Sequence, residues 1–407
     1  MILVYHWKAY NYRDILTTFE QMGYEICLVE QELQNYDMDE AFAEHLDTLL
    51  AQEETQWEFV FSVNYFALIA EVCHQRQIPY VMWNCDSPMI SMYHKSVFYP
   101  TNYLFLFDLS SVEEFREMGV DHAYHLPLAV SVERLDAMLG KSETQTDADR
   151  VMQKIANARG LGQRDEISFV GNLYDKNSYD ALEMTMPDHL RGYFEALMEA
   201  QRDLYGVNII ERMLTPDILE ELSEIYDFQP SSEDSLSDLG LVFSVTALGF
   251  KIAQLQRKSI LMKLSKKHTV GLYSNNTTQD LYRVSYRGSV NYWEEMPFVF
   301  SNSPINLNMT IPNIKTGIPL RSFDVMGAGG FLLSNYQIEY PMFFELDREV
   351  VCYYCEEDLL EKADFYLKHE EERKKIARRG YERVKTDHTY IERMRKMCDI
   401  LKEENVL

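Results

Sequence analysis

Short apolar runs alternate with amphipathic stretches along the first third of the chain. Ile2–Trp7, Glu25–Val29, Phe59–Val63, Tyr80–Trp83, Tyr103–Phe107 and Ala123–Leu126 are dense in β-branched and aromatic residues, the composition of short buried strands. Between them, Asp14–Met22, Asp39–Ala51, Tyr65–Gln75 and Ser111–Met118 repeat apolar residues at helical spacing. Such alternation predicts a parallel sheet with helices on both faces.

The pattern changes from Ser131 to Gln163, a polar stretch centred on Lys141–Asp147. It reads as a connection, part loop and part helix, so a first domain with its linker is predicted over 1–165. Glu166–Asn172 restarts a buried strand that ends on glycine, opening a second domain over 166–387. Tyr179–Lys263 then has leucines and methionines at helical spacing and no strand pattern. It is predicted as a helical insertion, with Thr215 and Pro216 starting one of its helices. Strands resume at His268–Tyr273, Val284–Tyr286, Ile305–Met309, Phe331–Ser334 and Val350–Tyr353. Charged helices close the chain at Glu356–His369, Glu371–Lys385 and Tyr390–Glu404, with 388–407 free to pack back on the first domain. The fold class is therefore α/β: two Rossmann-like parallel-sheet domains, whose ligands bind outside the carboxyl ends of the strands.

Composition narrows the function. A chain of 407 residues, 46% hydrophobic and 26% charged, fits two globular domains. Its 39 Lys+Arg against 65 Asp+Glu give a formal net charge of −26, which argues against general nucleic-acid binding. One local basic pocket for a diphosphate remains compatible. The opening Met1–Trp7 reads as a first strand rather than a leader, and no stretch reads as a membrane span. The 6 cysteines include Cys352 and Cys355 in C-x-x-C spacing. Without a second pair they read as half-buried thiols, in keeping with a reducing, cytoplasmic setting. Asp37-Met38-Asp39 has the letters of a metal-binding Asp-x-Asp but precedes a helix and reads as its cap. No metal and no cofactor is expected.

The most informative run joins Ile305-Asn306-Leu307-Asn308 to Gly317-Ile318-Pro319-Leu320-Arg321-Ser322-Phe323-Asp324 and then Gly327-Ala328-Gly329-Gly330. It reads as strand, glycine-containing loop, short helix, glycine pair and strand. Pro319 suits the first helical turn, and the helix would aim its unpaired N–H groups at the loop around Gly317. Such an end attracts a pyrophosphate, Arg321 can add a fork of donors, and Asp324 can accept ribose hydroxyls. Gly327, Gly329 and Gly330 would keep helix and strand close. A tight helix–strand connection without a ligand is the competing reading.

This run resembles the C-terminal half of the CgeB-like (spore maturation protein-like) glycosyltransferases. So does the tail through His369-Glu370-Glu371-Glu372-Arg373, Gly380 and His388-Thr389-Tyr390, while Trp83-Asn84-Cys85-Asp86-Ser87-Pro88 is similar to the module that often precedes that half. The resemblance covers nearly the whole chain outside the helical block. It implies a GT-B fold and a hexosyltransferase-like activity, with a nucleotide-sugar donor as substrate held mainly by the second domain. Related enzymes bind the donor ribose with a glutamate at the place of Asp324. Retaining relatives carry another glutamate eight positions earlier, where this chain has Thr316, so the stereochemical outcome stays open.

The donor-side candidates are thus Asp324, Arg321, Gly317, Pro319, Leu320, Ser322 and Asn308. Gly171, Asn172 and Lys176 follow the first strand of the second domain, and Ser289 and Val290 stand where the base is held. For the general base of an inverting transfer, Asp86 is the first candidate, with His6 and His125 as alternatives; Asp86 in Asp-Ser-Pro reads equally as a turn or cap. The acceptor (protein, glycan or small molecule) is not named by the sequence, and an oligomer is left open. Two rivals share the scaffold: a sugar-nucleotide epimerase and a non-catalytic nucleotide-sugar-binding protein.

Overall fold

The computed structural model describes residues 1–35, 38–52, 54–276 and 280–407. Its first elements are β1 (Ile2–Tyr5), α1 (Tyr12–Gln21), β2 (Ile26–Val29), α2 (Glu40–Leu50), β3 (Val60–Val63) and α3 (Ala67–Arg76). Next come β4 (Tyr80–Trp83), β5 (Asn102–Leu106), α4 (Leu109–Glu117), β6 (Ala123–His125), α5 (Val132–Met138), α6 (Asp147–Arg159) and β7 (Ile167–Val170). The helical stretch holds α7 (Ser178–Glu183), α8 (Asp188–Arg202), α9 (Ile210–Met213), α10 (Pro216–Ser223), α11 (Leu239–Phe243) and α12 (Phe250–Leu264). Then follow β8 (Val270–Tyr273), β9 (Ser285–Gly288), α13 (Met296–Asn302), β10 (Ile305–Asn308), α14 (Leu320–Gly327) and β11 (Leu332–Asn335). The last are α15 (Tyr340–Phe343), β12 (Val351–Tyr353), α16 (Glu356–Lys368), α17 (Glu370–Asp387) and α18 (Tyr390–Glu403).

Two six-stranded sheets result, ordered β2-β1-β3-β4-β5-β6 and β12-β11-β10-β7-β8-β9. Every pairing is parallel, for example Tyr5↔Ser62 in the first and Leu307↔Phe169 in the second. The sequence pattern placed each strand within a few residues; the inner strands, buried on both faces, are plain apolar runs, while the edge strands β2 and β9 are partly exposed. Leu3, Val60, Met82 and Leu104 build one core, and Phe169, Leu272, Leu307 and Leu333 the other. Near the first of the two sequence aspartates, Asp37 lies outside the described residues. Asp39 caps α2, accepting the Phe42 N–H at 3.0 Å.

The chain divides into two compact units. The first combines Met1–Leu128, Asp227–Val242 and Tyr390–Leu407; the second holds Ala129–Tyr226 and Phe243–Thr389. The residues 129–165, which the sequence grouped with the first domain, pack in the second unit. Val130 N–H donates to the His388 carbonyl at 3.1 Å, Asn302 Nδ2 to the Leu161 carbonyl at 2.9 Å, and Gly162 N–H to the Tyr273 hydroxyl at 3.0 Å. Part of the helical block belongs to the first unit: Leu236 N–H reaches the Tyr93 carbonyl at 2.7 Å and Lys95 pairs with Asp234 at 2.6 Å. Helix α18 packs on α1 in that same unit. Arg393 donates to the Pro127 carbonyl at 2.8 Å, and Tyr390 meets the Trp83 ring edge-on at 5.9 Å.

Residues Leu239–Leu264 run as one continuous 26-residue helix, wide-turned over Ser244–Gly249. It corrects the sequence expectation that no stretch is long and apolar enough to cross a bilayer. Most of its apolar window is buried in the protein, as in the core helix of a globular fold. The wide turn has a visible cause: Asn313 donates its amide to the Val245 carbonyl at 3.1 Å, an outside side chain entering the helical ladder.

Helix α14 is packed tightly into the second sheet. At Gly330 a Cβ would lie 2.4 Å from the Phe300 carbonyl oxygen and 2.7 Å from Asn306 Nδ2, backbone and a buried amide that cannot yield. Gly330→Ala should therefore destabilise the protein by about 1–3 kcal/mol, read as a lowered denaturation midpoint. Gly192, inside α8 with nothing within 4 Å, is the contrast. Gly192→Ala should raise stability by about 0.5–1 kcal/mol.

Candidate functional site

In the second unit, the carboxyl ends of β7 and β10 lie side by side beneath the start of α14. Pro319 stands at the N-cap with extended backbone, one position earlier than the sequence suggested, and Arg321 is the second helical residue. Its Nη1 donates to the Val170 carbonyl at 2.7 Å, and its guanidinium lies 5.4 Å from the Phe300 ring centre. Arg321 thus sits on the end of β7.

A second guanidinium, which sequence reasoning missed, comes from α12. Arg257 donates from Nη1 to the Asn172 carbonyl and from Nη2 to the Met309 carbonyl at 2.6 Å, joining the loops that leave β7 and β10. Its guanidinium lies 5.3 Å from the Phe169 ring centre and 5.0 Å from that of Tyr174. The residue is 8% exposed, its Nε is buried without a hydrogen bond, and among the described residues no carboxylate pairs with it. Burial pulls its pKa down from the ordinary guanidinium value, Tyr174 opposes this, and nearby Arg321 adds to the depression. A usable signal was in the sequence: Ala253, Arg257, Ile260 and Leu264 share one buried helical face, so the arginine interrupts an apolar stripe.

The loop between these guanidiniums is well ordered by hydrogen bonds. Asn172 Oδ1 accepts the Tyr174 N–H at 2.6 Å, Asn276 Oδ1 accepts the Leu173 N–H at 2.9 Å, and Tyr174 adopts a left-handed φ of 55°. Gly171 is half-buried at its start, while Asn172 and Lys176 have exposed side chains. Beyond β9, Ser289 is exposed and Val290 half-buried; three residues on from Ser289, the Tyr292 hydroxyl donates to Asp324 Oδ1 at 2.9 Å. That bond brings the turn after β9 to α14.

Other donor-side candidates serve the interior. Asp324 is 6% exposed and so is part of the packed interior. Asn308 gives its amide to Thr310 Oγ1 at 3.0 Å and Ser334 Oγ at 2.9 Å. Ser322 is fully buried and shares its hydroxyl with Tyr340 at 2.7 Å. Asparagine in a buried strand signalled polarity correctly, but the polarity is satisfied within the sheet. Gly317 is buried, and Pro319 and Leu320 are half-buried. Thr316 donates to Glu339, a wholly buried carboxylate, at 2.8 Å. Nothing in the local pattern around Glu339 signalled that contact.

In the first unit, Asp86 follows β4. Asn64, held at a left-handed φ of 69° after β3, donates Nδ2 to Asp86 Oδ2 at 2.7 Å and accepts the Cys85 N–H at 2.9 Å. The Asp86 side chain meets solvent, yet its carboxylate sits low among surrounding loops. Desolvation there raises its pKa above the ordinary carboxylate value, and the Asn64 bond opposes the rise. His6, after β1, has Nδ1 3.5 Å from Glu30 and its ring 4.1 Å from that of Tyr12. His125 ends β6 and is half-buried. One strand separates β4 from β1 and one separates it from β6, so adjacent candidates stand roughly 10 Å apart along the sheet edge. The three therefore form no single cluster. Near His6, a pocket of about 390 Å³ is lined by Trp7, Lys8, Glu30 and Glu32.

The two cysteines of the C-x-x-C have separate structural places. Cys352 is buried in β12, and the Cys355 sulfur caps α16, accepting the Asp358 N–H at 3.4 Å. Among the described residues no group of three or more His, Cys, Asp or Glu could hold a metal ion.

Comparison with known proteins agrees with this geometry. Residues 256–399 match a family model described as glycosyl transferase-like, which takes in Arg257, the turn after β9 and α14. No curated protein matches the sequence. Among solved structures, the chain is similar to a sucrose-phosphate synthase from Thermosynechococcus elongatus. The TM-score is 0.50 at 10% identity, over 99% of this chain and 98% of that one. It is similar also to HepE of Anabaena in complex with UDP and glucose, with a TM-score of 0.50 at 9% identity over 99% of each chain. Two Rossmann-like units with these sheet orders and a helical insertion give the chain a GT-B fold.

Proposed function

We propose that the protein transfers a glycosyl group from a nucleoside-diphosphate sugar to an acceptor, in the manner of the CgeB-like enzymes. The observation that carries this reading is Arg257: a buried guanidinium with no carboxylate partner among the described residues, beside Arg321 and the N-terminus of α14, in a chain of net charge −26. Burying an uncompensated charge costs several kcal/mol. A dianionic diphosphate at the adjoining strand ends offsets that cost, and the α14 amides add to the attraction. Asp324, held by Tyr292, would accept the ribose hydroxyls, and the turn at Ser289 and Val290 would edge the base.

Negative charge on the leaving diphosphate grows as the glycosidic bond breaks. Arg321 at the head of α14 is placed to stabilise it, so the reaction runs on guanidinium and helix-end electrostatics rather than on a metal. Asp86 takes the acceptor proton. Its raised pKa makes it a stronger base than an ordinary carboxylate, and the left-handed Asn64 aims and partly stabilises its charged form. The pocket beside His6 and Trp7 is the acceptor-side candidate. All six cysteines are free thiols, which suits a reducing cytoplasm.

Binding measurements with uridine, guanosine and thymidine diphosphates and their nucleosides test the donor site. Arg321→Ala and Arg257→Met should each weaken the preferred diphosphate by about tenfold or more, while sparing the nucleoside. Asp324→Asn should weaken both alike and also lower thermal stability, given its buried hydrogen bond. Unchanged diphosphate binding in Arg257→Met would remove the main support for this reading.

Turnover tests the rest. Product analysis with a sugar-nucleotide panel should show transfer that survives EDTA, rather than an epimerised donor. Asp86→Asn should lower kcat by roughly 10²–10⁴-fold with donor affinity intact. Because the base must be ionised, activity should fall as pH drops through the Asp86 pKa. Asn64→Ala removes a bond that favours the charged form, so it should move that acid limb to higher pH; an unmoved limb would assign the base elsewhere.

A further inference from the structure

A second recess in the second unit lies apart from the residues assigned to the donor. Its volume is about 370 Å³, within the range of small-ligand sites, and Arg159, Gly160, Leu161, Arg164, Tyr273, Tyr286 and Arg287 line it. Three arginines in one recess are unexpected in so acidic a chain.

Arg287 is held in place from below. Asp165, 4% exposed, forks onto Arg287 at 2.7 and 2.8 Å. The carboxylate fits only because Gly271 lacks a side chain: a Cβ there would be 2.3 Å from Asp165 Oδ2. Arg159 is paired with Glu295. Arg164 is different. It lies across Gly160, the left-handed cap of α6, with Nε 2.7 Å from where a Cβ would stand. Among the described residues its guanidinium has no carboxylate or carbonyl acceptor, although the charges of Arg164 and Arg287 both act on the Tyr273 hydroxyl. On the open side, the Tyr286 ring is half-exposed and is fixed by a hydrogen bond from its hydroxyl to the Ser274 carbonyl at 3.0 Å.

Three guanidiniums against two carboxylates leave one positive charge, that of the exposed Arg164, on the lining of a recess with a fixed aromatic wall. Helix-end arginines commonly just complement the helix dipole, and Arg287 also pins an edge strand. Neither role engages Arg164, which is solvent-exposed at the recess with its donors on no described carboxylate or carbonyl. We propose that this recess binds a phosphate monoester, the phosphoryl group on Arg164 and Arg287 and the organic part against Tyr286. This is a site separate from the donor diphosphate, and the inference stands independently of the glycosyl-transfer reading.

Calorimetric titration with inorganic phosphate and with phenyl phosphate, with and without excess uridine diphosphate, tests it. Saturable one-to-one binding should persist in the presence of the diphosphate and in Arg321→Ala, a donor-side variant. Arg164→Gln should keep the wild-type melting temperature and weaken both ligands by about tenfold or more. Tyr286→Ala should abolish the preference for phenyl phosphate over phosphate. Binding that is absent, that uridine diphosphate displaces, or that Arg164→Gln leaves unchanged would overturn the proposal.

Discussion

The second unit depends on one buried guanidinium. Adjacent parallel strands separate where they end, and their last carbonyls lose the partners a sheet provides. Just past β7 and β10 the carbonyls of Asn172 and Met309 are in that position, and Arg257 satisfies both with one planar group, while Arg321 takes the last carbonyl of β7, that of Val170. A lysine could not span them, having a single point of charge instead of a fork. The same contact fixes the loop that carries Gly171 and the start of the segment leading to α14. The candidate donor residues are thereby held at strand ends rather than on free loops.

Electrostatics makes this local arrangement decisive. At physiological ionic strength, charges more than about 8 Å apart in water are largely screened from one another. The overall acidity of the chain therefore does little to repel a bound anion, while a partly desolvated guanidinium acts at nearly full strength. Net charge argues against a polyanion spread over the surface. It says little about one diphosphate on one sheet edge.

The sequence made the sheets legible and the interior polarity ambiguous. Twelve strands were visible because parallel strands are apolar runs, and α14 was visible through Pro319 and the glycines that follow. Arg321 and Asp324 stood out as polar residues in that short motif. Arg257 did not, because its partners are backbone carbonyls from segments 85 and 52 residues away, which no local pattern encodes. Asn308 is ambiguous for the complementary reason: its amide bonds to Thr310 and Ser334, an internal seam whose polar letters look like those of a site. The division at Leu128 was also hidden, since the helices from 129 to 165 are polar on the face that a linker would expose.

The first unit is assembled from three separated stretches of chain, the last of them α18. Its sheet is synthesised early, yet the helix that covers α1 and donates Arg393 to the Pro127 carbonyl leaves the ribosome only after the whole second unit. At roughly 5–20 residues per second the wait is tens of seconds. During that time the face destined for Met394, Met397 and Leu401 is uncovered. The usual vectorial order, in which an N-terminal domain completes itself first, is inverted here. The second unit can finish while the first is still open, and closing the fold falls to the final helix.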